Sequence, residues 1–270
     1  MKLIVKITIL ALICLVFLFP VWLMIVNSFT PARAFLKMPP RLVPYIFTTK
    51  NYQQALSMRY LTRWVFNSII VMSVIIVGGV LSNGAAGYVF AFAKFKYKKA
   101  LFIALLLPIF VCSYTTLISK FIIVGKLGLS GMMAVLSMSI FWPTGIYLFR
   151  NYFNSMPASL IESARLDGAR EWTILMRIVL PICKPILGAA IVFLGMGALG
   201  DYIWQMLNLQ AIETRTFLVG LMLSALDVYA IKNIGYELAV GTLLFLPYLL
   251  IFSFSSRYFL EGLTGGALKE

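Results

Sequence analysis

Long runs of apolar residues alternate with short polar segments along the whole chain. A run of about 20 apolar residues predicts a membrane-spanning helix, because a backbone in lipid must satisfy its hydrogen bonds internally. The runs are continuous, whereas the strands of a membrane barrel would alternate apolar and polar residues. The pattern therefore predicts an all-α polytopic membrane protein, with a single transmembrane domain over residues 1–270. Its six spans are predicted at approximately 7–26, 64–93, 100–118, 131–149, 185–207 and 237–256.

The composition agrees with a membrane protein and excludes several other classes. The chain is 61% hydrophobic and 12% charged, whereas soluble domains have about 45–50% and roughly 25%. Its three cysteines have no paired spacing and histidine is absent, which argues against a metal site and against Ser-His or Cys-His catalysis. The net charge of +14 is better explained by membrane topology and lipid headgroups than by nucleic acid.

Two segments determine the predicted orientation in the membrane. The first apolar run could be a signal peptide, but at 20 residues it exceeds the usual core of roughly 7–15 residues. We therefore favour a retained first span. The segment KFKYKK at 94–99 is expected in the cytoplasm, because short basic loops stay on that side. Six spans then place both termini in the cytoplasm and leave the basic loop 27–63 outside.

A polar segment at 151–184, here called the elbow, interrupts the apolar pattern between the fourth and fifth spans. Pro157 is typical of a first helical turn. Ser159 and Glu162 have the Ser-x-x-Glu spacing of a capping box. These signals predict a helix that starts near 156–159.

The second half of the elbow predicts a turn followed by an amphipathic helix. Asp167 and Gly168 indicate the turn, since glycine accepts backbone angles that other residues resist. Pro181 is expected to end or kink the second helix just before the fifth span. Apolar residues recur there at helical spacing: Trp172, Leu175, Met176 and Val179. The pattern predicts a cytoplasmic helix–turn–helix, and docking into a soluble partner and a solvated loop remain equal alternatives.

The stretch ESARLDGA at 162–169, with IVLP at 178–181, resembles the signature loop of permease subunits in binding-protein-dependent ABC importers. That pattern is Glu-Ala-Ala, three residues, Gly, and later a hydrophobic residue before Leu-Pro; here Ser163 replaces the first alanine. The resemblance covers most of the chain and is closest to the carbohydrate-importing, maltose-type branch. Further stretches carry it: NYQQAL at 51–56, WVFNSIIV at 64–71, GALGDYIW at 197–204 and RYFLEGLTGGALKE at 257–270. In GALGDYIW, Gly200 stands where the family usually has Asn.

The resemblance implies a set of partners in a bacterial or archaeal plasma membrane. These are a second homologous permease, two ATP-binding cassette subunits, an extracytoplasmic solute-binding protein and a carbohydrate, expected to be an oligosaccharide. ATP and Mg would bind to the partner ATPase and no cofactor to this chain, which lacks a G-x-x-x-x-G-K-[ST] phosphate loop. We therefore expect a transport subunit rather than an enzyme.

The resemblance also assigns roles within the elbow, which would dock into a cleft on the ATPase. Closure of the ATPases on ATP would then move the spans between inward-open and outward-open states. The implied coupling residues are Glu162, Ser163, Ala164, Asp167, Gly168, Leu180 and Pro181.

The substrate pathway is weakly marked in the sequence. Asn83 lies within the second predicted span and Asp201 near the outer end of the fifth, and polar residues at membrane depth are functional candidates. Tyr202 and Trp204 could stack on a sugar, although an interfacial aromatic belt explains them as well. These four residues are the candidates for a pathway or gate.

Two alternatives to a neutral carbohydrate importer stay open at this point. The basic loop 27–63 would suit an anionic solute, such as a uronate oligosaccharide or glycerol phosphate, although lipid headgroups or an acidic binding protein explain it equally. A secondary transporter or channel is the alternative from another class. It is disfavoured because ion relays use acids or histidines at membrane depth, and this chain has few acids and no histidine.

Overall fold

The computed structural model describes residues 2–36, 42–43, 46–227 and 233–264. The regular structure of this part is helical throughout and contains no strand, which confirms the predicted all-α class. Its α-helices are α1 (Lys2–Ser28), α2 (Lys50–Leu56), α3 (Leu61–Phe92), α4 (Lys98–Leu106), α5 (Leu117–Lys126), α6 (Gly131–Ser139), α7 (Pro143–Asn154), α8 (Ala158–Leu166), α9 (Glu171–Ile174), α10 (Leu180–Ile182), α11 (Lys184–Gly200), α12 (Tyr202–Asn208), α13 (Phe217–Asp227) and α14 (Ile234–Thr264). A π-helix covers Leu175–Val179, and 3-10 helices cover Ala32–Leu36, Leu107–Phe110 and Ile212–Thr214.

Several of these helices are suited to a membrane by length and composition. Four segments in the described part pass on both counts: Ile4–Ser28, Leu61–Phe92, Gly131–Asn154 (α6 and α7 taken together) and Ile234–Ser253. A fifth span is possible if Glu171–Ile182 and Lys184–Gly200, which are bent by 90° at their junction, count as one. The total of six spans stays a prediction.

Three predicted spans are interrupted in the structure. The third is divided, because α4 gives way to a 3-10 turn that contains Pro108, and α5 begins only at Leu117. The fourth is broken between α6 and α7 before Pro143, and the fifth is broken at Asp201 after Gly200. Proline removes a backbone donor and glycine has low helix propensity, which accounts for where the helices end.

One compact unit comprises Met1–Val65 and Thr216–Leu249. Its buried apolar cluster includes Trp64 and Tyr236. Along α1 the apolar side chains at positions 4–19 are exposed, as expected for a helix surrounded by lipid.

The other compact unit comprises Phe66–Arg215 and Leu250–Glu270, although residues 265–270 lie outside the described part. Its core is the largest buried apolar cluster and draws on α3, α7, α11 and the elbow. Helices α3 and α7 approach closely at Gly87, where a Cβ atom would lie 2.6 Å from the Cβ of Phe149. The elbow and the broken spans all belong to this unit.

Candidate functional site

The turn of the elbow is a Schellman motif at the end of α8. Gly168 has φ = +77°, a left-handed conformation that only glycine adopts without strain. Its N–H donates to the carbonyl of Arg165 (3.0 Å), and the N–H of Ala169 donates to the carbonyl of Ala164 (3.0 Å). These two bonds satisfy carbonyls that the helix end would otherwise leave open. The predicted turn at Gly168 is therefore confirmed.

The start of α8 differs from the prediction. The helix begins at Ala158, within the predicted range, but Pro157 occupies the cap position and no side chain caps the helix. The capping box of Ser159 and Glu162 is therefore wrong. Ser159 is the second residue of α8, whereas a capping side chain belongs to the residue that precedes the first.

The second arm of the elbow also differs from the prediction in one respect. Trp172, expected on the buried face, is exposed, and Ile174 is buried in its place. Leu175 and Val179 are buried as the pattern predicted. The arm passes through the π-helix Leu175–Val179, and its wider turn shifts the buried stripe away from the spacing of a regular α-helix.

An ion pair joins the two arms of the elbow and also attaches them to the second span. Arg165 donates from Nε to Glu171 Oε1 (2.7 Å) and from Nη2 to Oε2 (3.1 Å). The hydroxyl of buried Tyr88, on α3, donates to Glu171 Oε2 (2.5 Å). The hydrogen bond from Arg165, and after it the one from Tyr88, lowers the pKa of Glu171. The hydrogen bond to Glu171 raises the pKa of Arg165. The sequence analysis missed this network, for which the only signal was opposite charges on either side of a turn.

The coupling candidates fall into an outer and an inner group. Glu162, Ser163, Asp167, Gly168 and Pro181 are exposed, whereas Ala164 and Leu180 are buried in the core cluster. The sequence analysis missed Leu166, whose side chain is 89% exposed beside the turn. The elbow thus has a surface of charged and polar groups around one apolar side chain, and an opposite face anchored in the core.

The junction between the elbow and α11 is sharply bent. The predicted kink before the fifth span is present, and the segments Glu171–Ile182 and Lys184–Gly200 meet at 90°. The bend lies at Cys183, which is buried and whose N–H donates to the carbonyls of Val179 and Leu180. The elbow is thereby continuous with the helix that follows it.

A cavity of about 700 Å³ lies in the same unit as the elbow. Its walls come from α3, α5 and α11, from the residues that precede α5, from the end of α6 and the residues that follow it, and from the start of α12. Of the four pathway candidates, Asp201 and Trp204 line this cavity, whereas Asn83 and Tyr202 are not part of its lining.

Asn83 has a structural position at the break in the fourth span. Its side chain is fully buried. Its Nδ2 donates to the carbonyl of Ile140 (3.1 Å), and its Oδ1 accepts from the N–H of Trp142 (3.0 Å). Ser82 Oγ also donates to the Ile140 carbonyl (3.3 Å), so side chains of α3 bond to the backbone where α6 gives way to α7.

The groups that reach the cavity are polar at some points and aromatic at others. Trp204 is nearly fully buried in the core, which leaves little of its face for stacking. Tyr114, Phe141 and Phe193 line the cavity and are exposed. Its remaining polar side chains include Ser113, Lys120, Ser139 and Asp201. In the described part of the chain, no three His, Cys, Asp or Glu side chains are grouped so that they could hold a metal ion.

The fold and the elbow define a helical membrane protein with a polar projection between two spans, and comparison with known proteins identifies the class. Residues 84–264 match the family described as "Binding-protein-dependent transport system inner membrane component". The chain belongs to this family of ABC importer permeases, so it is a transport subunit and not itself an enzyme. It is a multi-pass protein of the plasma membrane. Family membership contradicts the alternative of a secondary transporter or channel.

Individual relatives align over nearly the whole chain. The "Trehalose/maltose transport system permease protein MalG" of Thermococcus litoralis is 30% identical over 272 residues, covering 96% of this chain and 93% of that protein. The "Arabinooligosaccharides transport system permease protein AraQ" of Bacillus subtilis is 28% identical over 262 residues, covering 96% and 92%. The "sn-glycerol-3-phosphate transport system permease protein UgpE" of Rhizobium meliloti is 26% identical over 261 residues, covering 92% and 91%.

A solved structure has the same fold. It is described as a bacterial ABC transporter involved in the import of the acidic polysaccharide alginate. The superposition has a TM-score of 0.81 and covers 95% of each chain, at 21% sequence identity. At that identity the likeness concerns the fold alone.

Proposed function

We propose that this chain is one permease subunit of an ATP-driven importer for a carbohydrate, in particular an oligosaccharide. An extracytoplasmic solute-binding protein would deliver the sugar. Relatives named for arabinooligosaccharides, galactooligosaccharides and trehalose/maltose support this substrate class. The observation that carries the mechanism is the elbow, which is exposed on one face, anchored on the other and continuous with a membrane helix.

The proposed assembly contains a second, homologous permease and two ATP-binding cassette subunits. ATP and Mg bind to the cassette subunits, and this chain binds no cofactor. The elbow docks into a cleft on one cassette subunit, so that closure of the cassettes on ATP displaces it. Because coupling needs an element with two states that ATP binding favours unequally, the rigid connection from elbow to α11 transmits that bias to the membrane.

The exposed face of the elbow supplies the proposed contacts with the cassette subunit. Leu166 is the apolar anchor, because an exposed leucine surrounded by polar groups suits the buried centre of an interface. Glu162, Ser163 and Asp167 form the polar surroundings, and Gly168 gives the turn its shape. The two buried coupling candidates, Ala164 and Leu180, would act from inside by packing the elbow against the core, and Pro181 precedes the bend.

The proposed topology places the elbow and both termini in the cytoplasm of a bacterial or archaeal cell. It keeps six spans, a single domain over 1–270 and the coupling loop at 151–184. The segment 94–99 supports this orientation: Lys98 donates to the carbonyls of Ala91 (3.0 Å) and Ala93 (2.9 Å), and the other three lysines are exposed. Exposed lysines beside a span favour the cytoplasmic headgroups.

Leu166→Ser tests the docking of the elbow in the purified assembly in lipid nanodiscs. Leu127→Ser is the matched control, since Leu127 is another exposed leucine that follows α5. We expect Leu166→Ser to lower sugar-stimulated ATP hydrolysis about tenfold or more, because removing an interface anchor costs about 2 kcal/mol. Equal stimulation in both variants would contradict the docking role of the elbow.

An anionic solute is the second candidate, because some relatives are named for sn-glycerol-3-phosphate. In the outer loop Arg33, Lys50, Arg59 and Arg63 belong to the described residues, whereas Lys37 and Arg41 lie outside them. A panel of maltotriose, arabinotriose, digalacturonate and sn-glycerol 3-phosphate, each with the cognate binding protein, separates the candidates. Hydrolysis stimulated only by the acidic members would favour the anionic solute.

A further inference from the structure

We infer that the cavity is a subsite for a neutral sugar within this chain itself, so that the subunit contacts the substrate as well as transmitting motion. The inference rests on the proposed import of a carbohydrate and adds a binding site to it. Three observations support it: the backbone around the cavity, the chemistry of its lining and its charge.

Two interrupted helices meet the cavity. The break between α6 and α7 contributes Phe141 and Trp142, and the break between α11 and α12 contributes Asp201. Non-helical backbone at membrane depth is tolerated only where it is buried in protein or faces a water-filled cavity. In membrane transporters such breaks mark substrate sites, because they bring backbone and side-chain polar groups to the middle of a span.

The break in the fourth span is a built feature, because a dedicated side chain holds it. Asn83 bonds to the carbonyl of Ile140 and the N–H of Trp142 on either side of Phe141. The backbone of the break is therefore fixed, and the aromatic side chains next to it are held at the cavity wall. Trp142 packs against Phe193 of α11, with ring centroids 5.5 Å apart.

The lining has the two kinds of group that a sugar needs. Exposed rings, among them Tyr114 and Phe193, offer apolar surface to the C–H faces of a pyranose, while Lys120 and Asp201 offer a donor and an acceptor to its hydroxyls. Ligand pockets are mostly apolar with a few placed polar groups, and about 700 Å³ falls within their usual range of roughly 300–1,000 Å³.

The charge of the lining selects a neutral ligand over an acidic one. Lys120 and Asp201 both line the cavity but do not form an ion pair with each other. The lining thus carries one positive and one negative group. An acidic sugar bound near Lys120 would also bring its carboxylate near that of Asp201, and like charges in a partly desolvated cavity repel.

The chain provides a natural probe, because Cys112 lines the cavity and is exposed while Cys183 is buried. In a Cys14→Ser background, a hydrophilic thiosulfonate reagent would modify Cys112 in the assembled transporter in nanodiscs. The control combines Cys112→Ser with Ser130→Cys, which moves the thiol to an exposed position outside the cavity lining. Maltotriose and arabinotriose serve as neutral probes and digalacturonate as the acidic one.

We expect the neutral sugar that stimulates ATP hydrolysis to slow modification of Cys112 about tenfold and to leave the control thiol unaffected. Stimulated hydrolysis with unchanged Cys112 modification would overturn the subsite while leaving the proposed function intact. Hydrolysis that no neutral sugar stimulates would overturn both. A Cys112 thiol that is unreactive in the assembly without sugar would mean that a neighbouring chain or lipid fills the cavity, which also overturns the subsite.

Substitutions of the charged groups test the recognition without the binding protein. The sugar concentration for half-maximal protection of Cys112 should rise about tenfold in Asp201→Asn and in Lys120→Met, since each removes a charged hydrogen-bonding group. Glu213→Gln and Lys126→Met are matched controls, being exposed residues outside the lining of the cavity. Equal titrations in all four variants would overturn the assignment of these two groups, and stronger protection by digalacturonate than by neutral sugars would overturn the neutral ligand.

Discussion

The elbow turn and the break in the fourth span both interrupt a helix, but they are held in different ways. At the elbow, Gly168 turns the chain and every closing hydrogen bond comes from within six residues. At the break, the backbone of Ile140 and Trp142 bonds to Asn83, 57 and 59 residues away. A local interruption keeps its shape when its surroundings move, whereas a long-range one ties two helices together.

This difference agrees with the roles proposed for the two regions. A coupling element must transmit displacement, which requires that its own shape persist. A substrate cavity must hold its wall groups in place relative to several helices, which requires bonds between them. The following variants are ordered from the largest expected effect to the smallest, and each removes one of the supports that distinguish the regions.

Asn83→Leu should have the largest effect on stability. It leaves the half-buried Trp142 N–H without its partner, at about 1–3 kcal/mol, and takes one of two side-chain donors from the Ile140 carbonyl, which keeps the longer bond from Ser82 Oγ (3.3 Å). We expect the free energy of unfolding, measured by denaturant titration in micelles, to fall by about 2–3 kcal/mol, near the upper end for one unsatisfied group. Asn208→Leu is the control, because the Asn208 amide bonds only within its own helix in the described contacts, to Trp204. A loss of equal size in both variants would mean that the break needs no support from α3.

Gly168→Ala should destabilise the elbow through its backbone alone. A Cβ at this position meets no atom within 4 Å, but φ is +77°, and the left-handed conformation costs roughly 1–2 kcal/mol for a residue with a Cβ. Gly168→Asn should cost less, since asparagine tolerates this conformation. Thermal unfolding and sugar-stimulated ATP hydrolysis would both rank glycine, asparagine and alanine in that order. Indistinguishable variants would show that the turn is not a determinant of the elbow.

Tyr88→Phe should loosen the elbow from α3 without changing the shape of the turn. It removes the hydroxyl that donates to Glu171 and keeps the ring in the core. Glu171 is partly exposed, so we expect about 1 kcal/mol, near the lower range for such bonds. A double-mutant cycle with Glu171→Gln measures the interaction between the two side chains. A coupling energy near zero would show that this hydrogen bond does not hold the elbow to α3.

Acidification should have the smallest effect. The pKa of Glu171 is lowered in the folded protein, so its contribution is fully present above the unfolded value of about 4.3 and is lost as the pH falls through the folded value. Because Arg165 and Glu171 are partly exposed, solvent screening keeps this contribution well below about 1 kcal/mol. The melting temperature of Glu171→Gln should therefore approach that of the unmodified protein as the pH falls below about 4.3. Glu162→Gln is the matched control for the loss of one charge, and a constant difference across this range would contradict the ion pair.

The sequence predicted those features that local chemistry determines. The helical class follows from continuous apolar runs, and the turn at Gly168 follows from a residue type that the left-handed conformation requires. The kink before the fifth span follows from its prolines. Where the local signals compete, prediction was less successful: Pro157 stands at the cap position in place of the expected capping box, and the buried face of the second arm includes Ile174 rather than Trp172.

The features that sequence could not predict depend on distant parts of the chain. The bond from Tyr88 to Glu171 joins residues 83 positions apart. In the sequence, Asn83 is a polar residue within an apolar run, which fits a residue that lines a pathway and one that supports a helix break equally well. Only the positions of its hydrogen-bond partners distinguish the two roles. The exposure of Leu166 likewise depends on which face of α8 the core covers.

The bend at Cys183 gives the segment from Glu171 to Gly200 the form of a bell crank, a lever with two arms at right angles. One arm has 12 residues and the other 17, which at 1.5 Å per residue are roughly 18 and 26 Å long. A push across the end of the shorter arm would swing the far end of the longer one by a distance about 1.4 times larger. The far end of that longer arm is Gly200, which lines the cavity beside Asp201, so under the proposed docking a small movement of the elbow would be magnified at the cavity wall.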